Sequence, residues 1–122
     1  MPAKRDTYHH GDLRAALLEA GEAVLSATGV AGFSLREVAR KVGVSHSAPA
    51  HHFGDANGLL IALATDGFRR FLSAMQSRRA QAPEEARERI FASGLGYLDF
   101  AQSSPALFRL MFNGEVCGSP NE

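Results

Sequence analysis

SLREVARKVGVSHSAPAHHF, Ser34–Phe53, carries the strongest structural signal in the chain. Leu35, Val38, Ala39 and Val42 recur at the spacing of a helix with one buried face. Gly43 follows directly, where a helix C-terminus often needs a residue that tolerates positive φ. Ser45 is placed to cap a second helix by accepting from its first free N–H groups. A helix, a short turn containing glycine and a second helix make a helix-turn-helix, a unit that lays its second helix in the DNA major groove.

The stretch is entered through a capping signal. Phe33 precedes the Ser34 cap and Glu37 stands three residues beyond it, an S-x-x-E capping box with an apolar staple. The pattern predicts helices over about Leu35–Val42 and His46–His52. Pro49 has no N–H and is tolerated only in a first turn, so the second helix must start near Ser45–Ser47. Phe53 is expected to pack back on the preceding helices.

Upstream, Leu13, Ala16, Leu17, Ala20, Val24 and Leu25 form the apolar stripe of a helix starting at Gly11 or Asp12. The glycines of Thr28–Gly32 end it. Downstream, Asp55 caps a long helix over about Ala56–Arg79. Its apolar face is read as Leu59, Leu60, Leu63, Ala64, Phe68, Phe71, Leu72 and Met75, with Gly58 and Gly67 as weak points. Two more helices are predicted over about Glu84–Ser103 and Pro105–Phe112. The first carries Ile90, Phe91, Leu95, Leu98 and Phe100, and Ser104-Pro105 starts the second. No alternation of period two and no internal repeat is found. The fold class is all-α.

Composition bounds the function. The 122 residues suit one modest domain, with no apolar run of the ~20 residues a membrane span needs. The opening MPAKRDTYHHGD lacks a signal-peptide core, and the lone Cys117 has no internal disulfide partner, which fits a reducing cytoplasm. Formal charge is zero, with 13 basic and 13 acidic residues. All five histidines, His9, His10, His46, His51 and His52, lie before residue 60, so any added positive charge collects there. No nucleophile motif, Gly-rich phosphate loop or paired carboxylates support an enzyme. Adjacent His51 and His52 point about 100° apart on a helix and do not share a metal ion readily; no metal or cofactor is expected.

FSLREVARKVGVS, then HHF, then a cap and LL at Leu59-Leu60, resemble the DNA-binding domain of the tetracycline-repressor (TetR) family of bacterial transcription regulators. YHHGDLRAALLEAGEAVLSATGVAGF continues the likeness upstream, and YLDFAQSSPALFRLMF resembles the start of the effector domain in a subgroup with a TetR-like C-terminal domain. Residues 1–11 read as a flexible arm and the Gly-, Ser-, Pro- and Asn-rich residues 113–122 as an unstructured tail; between them the resemblance implies a helix-turn-helix domain over 12–60 and part of a helical effector and dimerisation domain over 61–112. It also implies further helices after that point, so the sequence is expected to be a fragment or a truncated form.

The same likeness implies a sequence-specific regulator, a ligand-responsive repressor acting as a homodimer on a double-stranded DNA operator. The expected DNA contacts are Ser34, Arg36, Ser45, His46, Ser47, Ala48, Ala50, His51 and His52, with Lys4, Arg5, Tyr8, His9 and His10 of the arm reaching the backbone or minor groove. Phe68, Phe91, Tyr97 and Phe108 are candidates to line a site for a small apolar effector. Three positions depart from the family pattern. Ala50 stands where a phosphate-binding tyrosine is common, His52 where an aromatic is common, and Ala56 where a phosphate-pairing lysine is usual. Phosphate contacts supply much of DNA affinity. The alternative is therefore a helical protein-interaction module, or a truncated regulator with weak or no DNA binding.

Overall fold

The computed structural model describes residues 10–117, which are helical and contain no strand. The expected arm lies outside the described residues except for 10–11, so the contacts assigned to Lys4, Arg5, Tyr8 and His9 fall outside them too, as do residues 118–122. Helix α1 spans His10–Thr28 and so begins slightly earlier than the Gly11 or Asp12 read from sequence. Leu17, Val24 and Leu25 are its buried apolar residues. Gly29 ends it with φ of 73°.

Helix α2 spans Leu35–Val42 as read. The Ser34 hydroxyl accepts from the Arg36 and Glu37 N–H groups at 3.1 and 3.4 Å. Only this half of the capping box is made, because the Glu37 carboxylate turns instead to Arg40 at 2.7 Å. Gly43 takes the left-handed conformation, φ 84°, and it and Val44 both donate to the Ala39 carbonyl, at 2.9 and 3.1 Å. Any residue with a Cβ would be strained there.

Helix α3 spans Ser47–Phe53. The expected Ser45 cap is not formed. His46 at the cap position already has helical dihedrals, φ −62° and ψ −23°, so the chain enters as a turn. The Ser45 carbonyl accepts from the Ala48 N–H at 3.1 Å, and its hydroxyl meets that of Ser47 at 3.1 Å. Pro49 is the third residue of the helix and is fully buried. Its missing N–H falls in the first turn, where no intrahelical partner exists.

Helix α4, Ala56–Ala80, is the mast of the fold, and its Asp55 cap accepts from the Gly58 N–H at 2.7 Å. Helix α5, Ala86–Ser103, starts two residues later than expected, with Glu84 and Glu85 ahead of it and no side-chain cap from Glu85. Arg78 meets Asp99, Ala74 and Met75 meet Gly96, and Phe71 meets Phe100, so α4 and α5 pack along their lengths. At Gly96 an added Cβ would lie 2.6 Å from the Ala74 carbonyl oxygen and the Met75 Cα. That contact sets the approach of the two backbones. Helix α6 spans Pro105–Met111, ending one residue short of Phe112. Ser104 does not cap it with its side chain; its hydroxyl accepts from Arg70 at 3.1 Å. Residues 114–117, read as tail, form a short helix α7, and Val116 is buried.

One core cluster runs from α1 through α4 to α6, across the position where the sequence divides reader from effector helices. Leu17, Leu25, Leu59, Leu63, Leu107 and Leu110 are its fully buried leucines. The apolar face assigned to α5 is corrected. Its buried residues are Ala92, Gly96 and Phe100, whereas Ile90, Phe91 and Leu98 are 74%, 65% and 51% exposed. Ala92 and Gly96 occupy the seam where the helices approach closely, Phe100 is buried as read, and Ile90, Phe91 and Leu98 are left outside.

Candidate nucleic-acid interface

The turn and α3 carry the candidate reader. Pro49 points into the core, so the rest of the helix is rotated outward around it. Ser45, His46, Ser47 and His51 are exposed, while Ala48, Ala50 and His52 are half-buried. The structure thus brings four of the seven expected residues of this segment fully to the surface. His51 and His52 meet edge to face at 5.6 Å between ring centres, and His52 lies 6.1 Å from the Phe53 ring.

A second anchor stands at the start of α2. Arg36 is exposed and forms no ion pair within the described residues. The Ser34 hydroxyl is occupied as acceptor by the cap and keeps its own O–H to donate. Carboxylates near the reader are already engaged. Glu37 holds Arg40, and Asp55 accepts from Gly58. Arg36 and Lys41 therefore remain as unneutralised cations on α2. Arg14 is a residue that the sequence reading does not single out. It lies over the Phe53 ring at 5.2 Å, bringing a further exposed cation from α1 beside α3. No local pattern marks it, because the contact exists only once α1 and α3 are neighbours.

The candidate effector-lining residues divide. Phe68, Tyr97 and Phe108 belong to a net of rings centred on Phe71, which lies 5.3 Å from Tyr97, 5.6 Å from Phe100 and 6.4 Å from Phe112. Phe108 joins it through Tyr97 at 5.5 Å, and Phe68 through Phe112 at 5.6 Å. These rings fill the space between α4, α5 and α6 with one another. Phe91 stands apart, 65% exposed and without a ring partner among the described residues. No described helix is long and apolar enough to cross a membrane.

The reader and its surroundings have clear relatives. Residues 17–63 match the family described as bacterial regulatory proteins, tetR family. The reader over these residues is a domain of the TetR family. HTH-type transcriptional regulator BetI of Paraburkholderia phytofirmans is 33% identical over 91 residues, covering 75% of this chain and 47% of that protein. BetI of Burkholderia cenocepacia is 31% identical over 96 residues, covering 79% and 50%. The chain thus spans about half the length of the curated relatives it matches. A solved protein of unknown function from Rhodococcus sp. RHA1 superposes with TM-score 0.76 at 44% identity, covering 87% of this chain and 55% of that one. The TetR family transcriptional regulator PfmR from Thermus thermophilus shares the fold, with TM-score 0.68 at 19% identity, covering 86% of this chain and 57% of its own.

Proposed function

We propose that this chain is a cytoplasmic, sequence-specific regulator of transcription of the TetR family that binds operator DNA through α3. The observation that carries the reading is the reader itself. A left-handed Gly43 sets α3 against α2, Ser45, His46, Ser47 and His51 form an outward polar face, and Arg36 is exposed at the start of α2. His46 and Ser47 at the helix start face base edges, while Arg36, Ser34 and the α2 N–H groups hold phosphate. The chain acts as a homodimer, because two readers on half-sites about 34–36 Å apart double the contact. A small apolar effector that displaces part of the ring net between α4, α5 and α6 changes the affinity for DNA by favouring one arrangement of the readers.

The test is a gel shift of the purified protein on the DNA upstream of its own gene, at about 50 and 200 mM salt. A shift that weakens with salt and is lost in His46→Ala or Ser47→Ala, with helicity intact by circular dichroism, is the expected result. With Ala50 and Ala56 in place of the family's usual phosphate partners, the complex is expected to be weak. Absence of a shift at both salts sinks the DNA reading. Light scattering after size exclusion reads the oligomeric state, and a monomer with and without DNA removes the dimer from the proposal. The second reading, a helical protein-interaction module, draws on the exposed Ile90, Phe91 and Leu98 of α5 and is what a protein without DNA affinity would leave.

A further inference from the structure

Helix α3 draws its cationic capacity from histidine. Ser47–Phe53 contains no lysine or arginine, and neither does the turn Gly43–His46 that leads into it. The cationic capacity of this segment is His46, His51 and His52 alone. Histidine is the side chain that changes charge between about pH 5 and pH 8. A segment whose only cationic side chains are histidines therefore gains or loses its positive charge within the range a cell experiences.

The surroundings decide what a protonated imidazole would pair with. From α2, the charged groups are Arg36, Glu37, Arg40 and Lys41; Glu37 is held by Arg40 at 2.7 Å. From the start of α4, Asp55 accepts from the Gly58 N–H. From α1, Arg14 lies over Phe53, and Asp12 sits in the first turn. No carboxylate among the described residues forms an ion pair with any of the three imidazoles. An imidazolium here therefore has no internal counterion among the described residues. A DNA phosphate would supply the missing anion.

We propose that DNA binding by this chain is coupled to proton uptake on His46, His51 and His52, so that acidification tightens the complex and alkalinisation releases it. The inference rests on the DNA-binding reading above and adds its regulation. The sign follows from linkage: the bound state favours the protonated form, so affinity is greatest at low pH and falls as pH rises. Each proton released weakens binding by up to ~10-fold per pH unit, and each imidazolium lost from phosphate flattens the slope of log affinity against log salt by roughly 0.9.

The experiment is fluorescence anisotropy of the full chain on a random-sequence DNA duplex and on the upstream fragment, from about pH 6 to pH 8 at several salt concentrations. The expected result is affinity falling at least about tenfold across that range, together with a shallower salt slope. On the random-sequence duplex, where base readout plays no part, the pH dependence should vanish in the triple variant H46Q/H51Q/H52Q. In H51K, which fixes one charge, affinity at the alkaline end should rise. Circular dichroism at each pH checks that every variant is folded. Binding of equal strength and salt slope at both ends of the range, or a pH dependence that survives in the triple variant, overturns the proposal while leaving the DNA reading intact. Failure to bind either duplex at any pH overturns both.

Discussion

The two ends of the molecule bury their apolar residues differently. In the reader, α1 to α3, the residues marked by helical spacing are those that are inside. Leu17, Leu25, Val38 and Ala39 are fully buried, and polar residues cover the outward face. Along α4 and α5 the same kind of spacing leaves Phe68, Leu72, Ile90, Phe91 and Leu98 between 43% and 74% exposed. A small helical domain closes over its own stripe, so periodicity identifies its core. A long helix pair has two sides, and periodicity names apolar residues without saying which side meets a neighbour. Exposed apolar area of this kind marks a surface that does not carry the pair's own stability.

That contrast can be broken most decisively at the joint between the regions. Leu59 is fully buried where α4 meets α1, beside Gly21. Leu59→Ala should cost about 3 kcal/mol, with a common fall in stability by circular dichroism and by Phe/Tyr fluorescence. Two separate transitions would mean that the ends are not one cooperative unit. Next is Gly96→Ala, whose new methyl would meet the α4 backbone. It should cost roughly 1–3 kcal/mol, read as a shift of the urea midpoint; an unchanged midpoint would show that α5 can slide off α4.

Smaller effects separate the two ends more finely. Ser34→Ala removes the cap on α2 and should destabilise by about 1 kcal/mol, while faster amide exchange in α2 localises the loss. By contrast, Phe91→Ser and Leu98→Ser should change stability by no more than about 0.5 kcal/mol and improve solubility, as measured by chemical denaturation and light scattering. A large loss of stability from either would mean that these side chains are core after all.

The smallest effect is expected from Asp99→Asn. Arg78 holds the Asp99 carboxyl below the ordinary carboxylate range through hydrogen bonds of 2.6 and 2.9 Å, on the protein surface. A lowered carboxyl pKa contributes stability above its unfolded value and loses it as pH falls through the folded one. The wild type should therefore lose a trace more stability than the variant in acid, and about 1 M salt should erase the difference.

The region around Arg70 shows why part of the architecture is hidden from a linear reading. Its guanidinium reaches Glu22 of α1 at 2.7 Å and Ser104 at the α5–α6 junction at 3.1 Å, and lies over Phe100. The hydrogen bond to Glu22, backed by the negative charges of Glu22 and Asp66, outweighs partial burial and raises the arginine pKa, so the group stays charged throughout the accessible pH range. Residues 48 and 34 positions distant meet on one side chain. Nothing periodic announces such a clasp. The same holds for Arg14 on Phe53, and for Ser104, whose expected cap is given up to Arg70.

Local rules were enough wherever one segment satisfies itself. The Ser34 cap, the left-handed Gly43, the first-turn Pro49 and the Asp55 cap depend on neighbours within a few residues, and each stands in the structure as the sequence implies. Ser45 failed as a cap because His46 continues helical dihedrals backward and the backbone already supplies the turn. An all-α chain, a helix-turn-helix at Ser34–Phe53 and the composition of its outward face follow from the order of residues alone. Packing in three dimensions settled the rest: which side of α5 is buried, where Val116 docks, which carboxylates are engaged and which cations stay free. Those outcomes depend on the approach of backbones at Gly96 and on pairings between distant segments, and such distances do not exist until the helices have packed.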